Sequence, residues 1–574
     1  MTKRSKSLLS LVLCFALLFT SATGASAATV AEESAGNPMM ESVANTLNNV
    51  FNNVVEGLLK FLVKLFPATV LIKDKSSVTS DNFMAGSGEF LDEPAENAEW
   101  SLGYAQASIV PEDFNEGKYY KGGYDVSLKL TEMIDDLKVR VIVLDDNSGR
   151  GKTAIAAIDC LGLANSDVKR IRAALADYAA ANDIVSINVS ATHVHSGIDT
   201  QGIYTDTAGK IIKNLAAAII KSDNLAPAID ESFFQIIVEK TVQCVKEATE
   251  SMTTGTLTYA KTDAADYVRD RTAPDIMLED MYRFMFTPDD GSMGTIISNF
   301  GVHPECIGFG TKVGTSDFVY YTEQVINEAG YNFIFIQGAV GTYTEDMGAS
   351  SDGLELDRIE STIRYGEELG YILLGMTLTE EERMVYVDAE REALAEGNED
   401  YTPWYTRETV EESIVDPILN IAHKEYLAPV DNGVYELLGK LSAANNTMVT
   451  DENDNYYAVT EVGFMELGKD VKIILCPGET YAELIKGGEN MSDFAYASAY
   501  EIFGTEDVLV FDLVNDALGY IMPDSFFTYA TIRYSEGDGL LGITIDSSWG
   551  LTSLGRHAAS NIYGEIYKLA ESVQ

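Results

Sequence analysis

The chain has 574 residues, with 89 acidic against 40 basic side chains, five histidines and five cysteines. A hydrophobic content of 46% is ordinary for a globular protein and excludes an acidic disordered tail. The formal charge of −49 argues against nucleic acid and anionic membrane surfaces as partners, because both would be repelled.

At the N-terminus, Lys3, Arg4 and Lys6 precede an apolar run to about Phe19, and Ala25-Ser26-Ala27 follows as a small-residue cleavage site. This pattern predicts a secretory signal peptide over residues 1–27 and hence a secreted, extracellular protein. The apolar run is too short to span a bilayer comfortably. Leu13 before Cys14 is also not the small residue of a lipoprotein signal. Cys160, Cys244, Cys306 and Cys476 remain, too few for a disulfide framework, and buried thiols are expected.

Residues 28–98 form an N-terminal segment. After a flexible start at 28–37, a helix is expected over 40–66, where VVEGLLKFLVKLF is apolar on most faces and Lys60 and Lys64 lie four apart. Such a segment is too short to cross a membrane. Packing on the main domain is the preferred reading, and lying on a bilayer or lining a lipid-entry groove is the alternative.

The main domain is expected over 99–574. VRVIVLDD and TAIAAIDCLGL read as a hairpin. The turn between them holds Gly151-Lys152-Thr153, but Asp146 stands where a phosphate-binding loop needs glycine, and a strand follows. Next come helix SDVKRIRAALADYAAAN, strand DIVSINVSAT, helix DESFFQIIVEKTVQCVKEATESM and strand TGTLTYAKT. Strand GTIISNFGVHP, helix FVYYTEQVINEAG and strand NFIFIQGAV follow. Residues 350–415, acidic and helical, read as a solvated insertion. Strands KIILCPG and DVLVFDLV, a tyrosine-rich loop and a helix through Ile562 and Leu569 close the chain. The expected class is mixed α/β (α+β), with mixed sheets flanked by helices in a single large domain.

The sharpest local pattern is Thr192-His193-Val194-His195-Ser196-Gly197, where a strand runs into a loop. Residues two apart in an extended segment point the same way, so His193 and His195 can converge on a divalent zinc. His303, in Asn299–Pro304 (NFGVHP), also ends an apolar strand. His423 and His557 fall in helical, polar contexts and read as surface or packing residues. A catalytic zinc takes three protein ligands plus water, so a carboxylate is expected. Glu479, after Cys476-Pro477-Gly478, follows the same pattern of strand, turn and acid, although composition does not single it out among 89 acids.

Five blocks, NVSATHVHSG (188–197), NFGVHP (299–304), QGAVGTYTED (337–346), PGET (477–480) and NDALGY (515–520), occur in one order along the chain. In that order they resemble the neutral/alkaline, non-lysosomal ceramidases from about residue 100 to the end. The resemblance implies hydrolysis of the amide bond of N-acylsphingosines, with one zinc (Zn2+) in a deep pocket. It implies His193, His303, Glu479 and Tyr520 as metal ligands, and His195 as a general acid/base or oxyanion partner. Arg271 matches the family's arginine, Thr344 stands where the family has serine, and Tyr534, with Tyr529 as the alternative, matches a further tyrosine. The chain ends before the C-terminal β-sandwich usual in that family. The expected partner is a ceramide-like N-acyl lipid or another small amide, with at most peripheral membrane or micelle contact and no nucleic acid. Two other readings stay open: a zinc amidase acting on a peptide or N-acyl amino acid, and a non-catalytic secreted binding protein on the same scaffold. Cys306 and Cys476 each lie three residues from a proposed ligand, so a bridge between them is the alternative to two buried thiols.

Overall fold

The structure, a computed structural model, describes residues 38–65, 80–220, 226–272, 276–351, 356–387, 403–441, 445–453, 455–488, 491, 493–534, 543–547 and 549–573. The expected signal peptide at 1–27 and the start at 28–37 lie outside them. The larger sheet is built from β1 (Trp100–Ser108), β2 (Lys138–Asp145), β3 (Lys152–Ile158), β4 (Ile184–Ala191), β5 (Thr253–Asp263), β6 (Asp280–Pro288), β7 (Gly294–Phe300) and β8 (Tyr331–Gln337). Its order is β8-β7-β6-β5-β1-β2-β3-β4, with Ser413–Ile414 added beside β5. The second sheet runs β9 (Leu419–Val430), β10 (Tyr456–Leu467), β11 (Val471–Leu475), β12 (Val508–Phe511), with Met448–Thr450 beside β10. The pairs β3/β4, β7/β8 and β11/β12 are parallel. The expected hairpin β2/β3 is antiparallel.

Strand alternation stacks these sheets into layers. Ile142 and Leu144 of β2 join Phe284, Ile297, Met465, Ile473 and Phe511 in a core that draws on both sheets. Val139, Val141 and Val143, one residue out of step, point the other way. They meet α2 (Asn165–Ala181) and α3 (Glu231–Glu250) through Val168, Ile171, Phe233 and Ile237. Further along the same outer face, Ile296 and Phe335 meet α4 (Phe318–Glu328) and α5 (Arg358–Gly375). The outer face of the second sheet, through Ile474 and Val510, meets α6 (Gly433–Lys440), α7 (Ala558–Val573) and α1 (Pro38–Leu65). Two sheets thus face each other with helices on both outsides.

Two expectations need correction. Residues 350–415 are not simply solvated: Tyr365, Leu369, Ile372 and Leu373 of α5 are buried against α4 and the sheet, and Trp404 stacks on Tyr371 at 5.1 Å. The apolar stripe within an acidic sequence is enough to bury the helix; residues 388–402 lie outside the described ones. His423 is neither helical nor superficial. It lies in the middle of β9, fully buried, with Nε2 2.8 Å from Ser186 Oγ and Nδ1 3.2 Å from Glu461 Oε1. His557, at 59% side-chain exposure, pairs with Asp524 at the surface. The helix expected at 40–66 is α1, docked by Leu59, Leu62 and Val63, with Asn52 bonded to Tyr529 N and Ala530 O.

Candidate metal centre

The blocks picked out in the sequence leave the C-terminal ends of β4, β7, β8, β11 and β12. In open α/β sheets, side chains from different loops converge at these ends. Backbone bonds tie the exits together: Asp512 N donates to Gln337 O (2.9 Å), Asn515 N to Val189 O (2.8 Å) and Glu479 N to Gly519 O (3.0 Å). Glu479 and Tyr520 are register partners in a short parallel ladder. The asparagines of the blocks are clamps, not ligands. Asn299 Nδ2 bonds Ile336 O and Val510 O across the two sheets, and Asn515 Nδ2 bonds Asn188 Oδ1. Asp512, which burial pushes up to about 8, accepts from Thr480 N and Oγ1 and from Val340 N. It thereby fixes the loop that presents Glu479.

His193 does not reach the centre by simple strand alternation. Its φ is +68, a left-handed turn rare for a residue with a Cβ, and this kink brings the two rings of the HxH turn face to edge at 4.8 Å. His195 N donates to Pro304 O (3.0 Å), binding the HxH turn to the His303 loop. A glycine backs this packing, since a Cβ at Gly123 (φ +112) would stand 2.7 Å from His195 Cγ.

His193, His195 and His303 are buried, with ring centroids 4.8–5.3 Å apart, and together they could hold a metal ion. His193 Nδ1 donates to Leu161 O (2.7 Å) and His303 Nδ1 to Tyr343 O, so each turns an Nε2 lone pair inward. Glu479 Oε2 lies 3.5 Å from both Nε2 atoms, and His195 Nε2 is 3.3 Å from His193 Nε2. Ligand atoms held about 2.1 Å from a tetrahedral ion stand roughly 3.4 Å apart, so the spacing suits a metal. His303 Nε2 and Glu479 Oε2 are also buried without a hydrogen-bond partner among the described residues. These are acceptors facing acceptors, which a cation relieves.

The charges follow from this crowding. Burial opposes ionisation of Glu479, yet His193 and His303 hold its carboxyl far below the usual range. Burial lowers the His193 pKa, but the Glu479 carboxylate outweighs that and raises it. His195 is pushed well below the ordinary imidazole value by burial and by His193, so it is neutral. Burial, then the charge of Glu479, raises the Tyr520 phenol well above its normal pKa.

Arg271 lies beside the centre: Nη1 donates to Glu305 Oε1 (2.7 Å), Nε to Thr342 O (2.9 Å), and the guanidinium lies over the Trp549 ring. Thr344, paired with Arg269 in a short antiparallel ladder, has its hydroxyl 2.6 Å from both Glu305 Oε1 and Glu345 Oε2. One hydroxyl has one proton. Glu305, despite burial, is kept ionised mainly by Arg271, while burial and Glu305 push Glu345 up to about 8. Thr344 therefore donates to Glu305 and accepts from protonated Glu345. Tyr529 faces the α1 side, bonding its backbone to Asn52, and does not join the centre. Tyr534 ends the strand Ala530–Tyr534, and its side chain lies outside the described residues. All four cysteines are free and buried, so Cys306 and Cys476 form no bridge.

Sequence reasoning missed Glu305 and Tyr124. The Glu305 carboxylate accepts from Tyr124 Oη (2.6 Å), Arg271 and Thr344, and approaches His195 Nδ1 at 3.8 Å. Tyr124 packs on His195 at 4.8 Å and on the 40%-exposed Phe309 at 4.3 Å, an aromatic column running from the surface to the imidazoles. The only sequence cue was that Glu305 falls two residues after His303.

Among solved structures, the chain is similar to the neutral ceramidase from Pseudomonas aeruginosa, with a TM-score of 0.51 and 14% identity over 82% of this chain and 75% of that one. A ceramidase complexed with C2 gives a TM-score of 0.51 and 14% identity over 82% of this chain and 76% of that one. No protein-family model matches the sequence. No curated protein matches it either. The likeness is one of fold: the mixed α+β architecture is that of neutral ceramidases, as the order of the sequence blocks implied.

Proposed function

We propose that the protein is a secreted, zinc-dependent amidohydrolase that cleaves the N-acyl amide of ceramide or a related N-acyl lipid. Residues 1–27 are its signal peptide and residues 99–574 its catalytic domain. The observation that carries the reading is the convergence of the buried His193 Nε2, His303 Nε2 and Glu479 Oε2, with the carboxylate oxygen 3.5 Å from each nitrogen. The ceramidase fold and the aromatic approach through Phe309 and Tyr124 support a lipid amide as substrate.

In this reading His193, His303, Glu479 and Tyr520 hold the ion. When bound, zinc supplies Lewis acidity and a coordinated water acidified towards neutral pH. His193 and His303 suit the ligand role because their Nδ1 protons are anchored on carbonyl oxygens. His195 differs: its Nδ1 has no hydrogen-bond partner among the described residues, and Glu305 stands 3.8 Å away. A neutral imidazole so placed can take a proton at Nε2 and pass it to the departing amine. Arg271 is placed to meet the negative charge that develops on the carbonyl oxygen, and Tyr534 is the further donor that the resemblance implies. Thr344 holds Glu305 in place. Metal analysis and ceramide turnover, wild type beside His193→Ala, test the proposal. One zinc per chain and turnover are expected in the wild type, with both lost in the variant. A wild type without stoichiometric zinc overturns the mechanism, and zinc with turnover only of an N-acyl amino acid overturns the lipid substrate.

A further inference from the structure

α1 has a second apolar face that the hydrolase reading leaves unused. Leu59, Leu62 and Val63 are buried, but Leu47, Val50, Val54, Leu58 and Phe61 are 42, 57, 63, 41 and 56% exposed. Spacings of three, four, four and three place them in one stripe, within an arc of about 80° at about 100° per residue. Five of the twelve large apolar side chains exposed among the described residues lie on this stripe, so they are concentrated, not scattered.

The charge of the helix separates it from the rest of the molecule. It carries two acids and two lysines, in a chain with 89 acids and 40 bases. One of the acids, Glu56, is paired with Lys60. At helical spacing, Lys60 and Lys64 fall on the polar side next to the stripe, with the uncharged Asn49 and Asn53. No helix of the described residues is long and apolar enough to cross a membrane.

We infer that this stripe docks the protein on a zwitterionic phospholipid surface. Sinking it into the acyl boundary desolvates no charge. Lys60 and Lys64 can extend to the phosphate level of the head groups. A second copy of the chain is a poorer occupant, because two molecules each carrying −49 repel one another. The same charge disfavours an anionic bilayer. On its buried face, Leu59 and Val63 of α1 belong to the same apolar cluster as Tyr435 and Tyr520.

The test is co-sedimentation of the protein with phosphatidylcholine vesicles, wild type beside a Val50→Ser, Val54→Ser, Phe61→Ser variant with the same N-terminus. The partition coefficient should fall at least tenfold in the variant with helical circular dichroism retained. Vesicles enriched in phosphatidylserine should bind the wild type less. The single change Val54→Glu gives a second measure, expected in the same direction. Equal partition of wild type and variants overturns the inference. So does a wild-type dimer in sedimentation velocity that the triple variant abolishes, which would assign the stripe to a second copy. Partition is read without turnover, so its failure is distinct from failure of the hydrolase reading.

Discussion

His423 and His303 are both buried and both lie near a glutamate, yet their surroundings are built on opposite principles. Around His423, donors face acceptors. Arg172 gives Nη1 to Glu461 Oε2 (2.6 Å) and Nη2 to Oε1 (2.9 Å), Asn515 adds a third bond, and Ser186 meets the imidazole. Serine, histidine and glutamate there imitate a hydrolytic triad, but the cluster is sealed and its carboxylate is fully engaged. Around His303, its Nε2 and Glu479 Oε2 confront each other 3.5 Å apart, and neither has a hydrogen-bond partner among the described residues. A buried carboxylate matched by donors helps hold the fold together; a cluster in which acceptors face each other could hold a cation.

The largest expected effect breaks the cluster around Glu461. Arg172→Ala leaves the Glu461 charge buried and unpaired, so a loss of about 3–5 kcal/mol in unfolding free energy is expected by denaturant titration. Glu479→Gln, measured in chelator, should cost less than Arg172→Ala, because the carboxylate it removes faces the His303 lone pair and has no guanidinium partner. Equal losses in the two variants would erase the contrast. Acid sharpens it. Burial opposes ionisation of Glu461, but Arg172 and His423 hold it at about 2 against an ordinary 4.5. A depressed carboxyl stabilises the fold above its unfolded pKa, and that stability drains away as pH falls from 4.5 towards 2. The slope of unfolding free energy against pH in this window should be steeper in the wild type than in Arg172→Ala.

Glu305 shares features of both clusters, since it is fully engaged yet touches the candidate site. Removing its charge with Glu305→Gln should lower kcat by about 10–100-fold, the usual cost of losing a partner that orients site residues. Metal content should stay at the wild-type level, and Glu305→Asp should recover part of the rate. Loss of the metal in Glu305→Gln would instead make Glu305 part of the ion's holding set.

The same contrast accounts for what could be read in the sequence. β2, β3, β7 and β8 are runs of apolar side chains, and His193, His303 and Glu479 follow β4, β7 and β11 at turns, so both were legible. β9 and β10 were not. Asn420, His423 and Glu425 of β9, and Thr460, Glu461 and Glu466 of β10, are buried polar residues that break the apolar pattern on which strand recognition rests. Their partners are distant: Arg172 is 289 residues from Glu461, and Ser186 is 237 from His423. Glu305 was hidden for another reason. Tyr124, Arg271 and Thr344 reach it across separations of 181, 34 and 39 residues, which no local spacing encodes.

The smallest expected effect concerns Thr344, where the resemblance puts serine. Its hydroxyl links ionised Glu305 to protonated Glu345, while its methyl only fills buried space. Thr344→Ser keeps the link and should cost about 1 kcal/mol of stability for the lost methyl, with kcat within about threefold of wild type. Thr344→Val keeps the shape and removes the link. Glu305 then loses a donor, at about 1–3 kcal/mol, and its hold on Arg271 loosens, so the rate should fall with Val and not with Ser. A rate that falls equally in both would mean that the methyl, not the hydroxyl, sets the geometry here, and the departure from serine would then be a change of shape with chemical consequence.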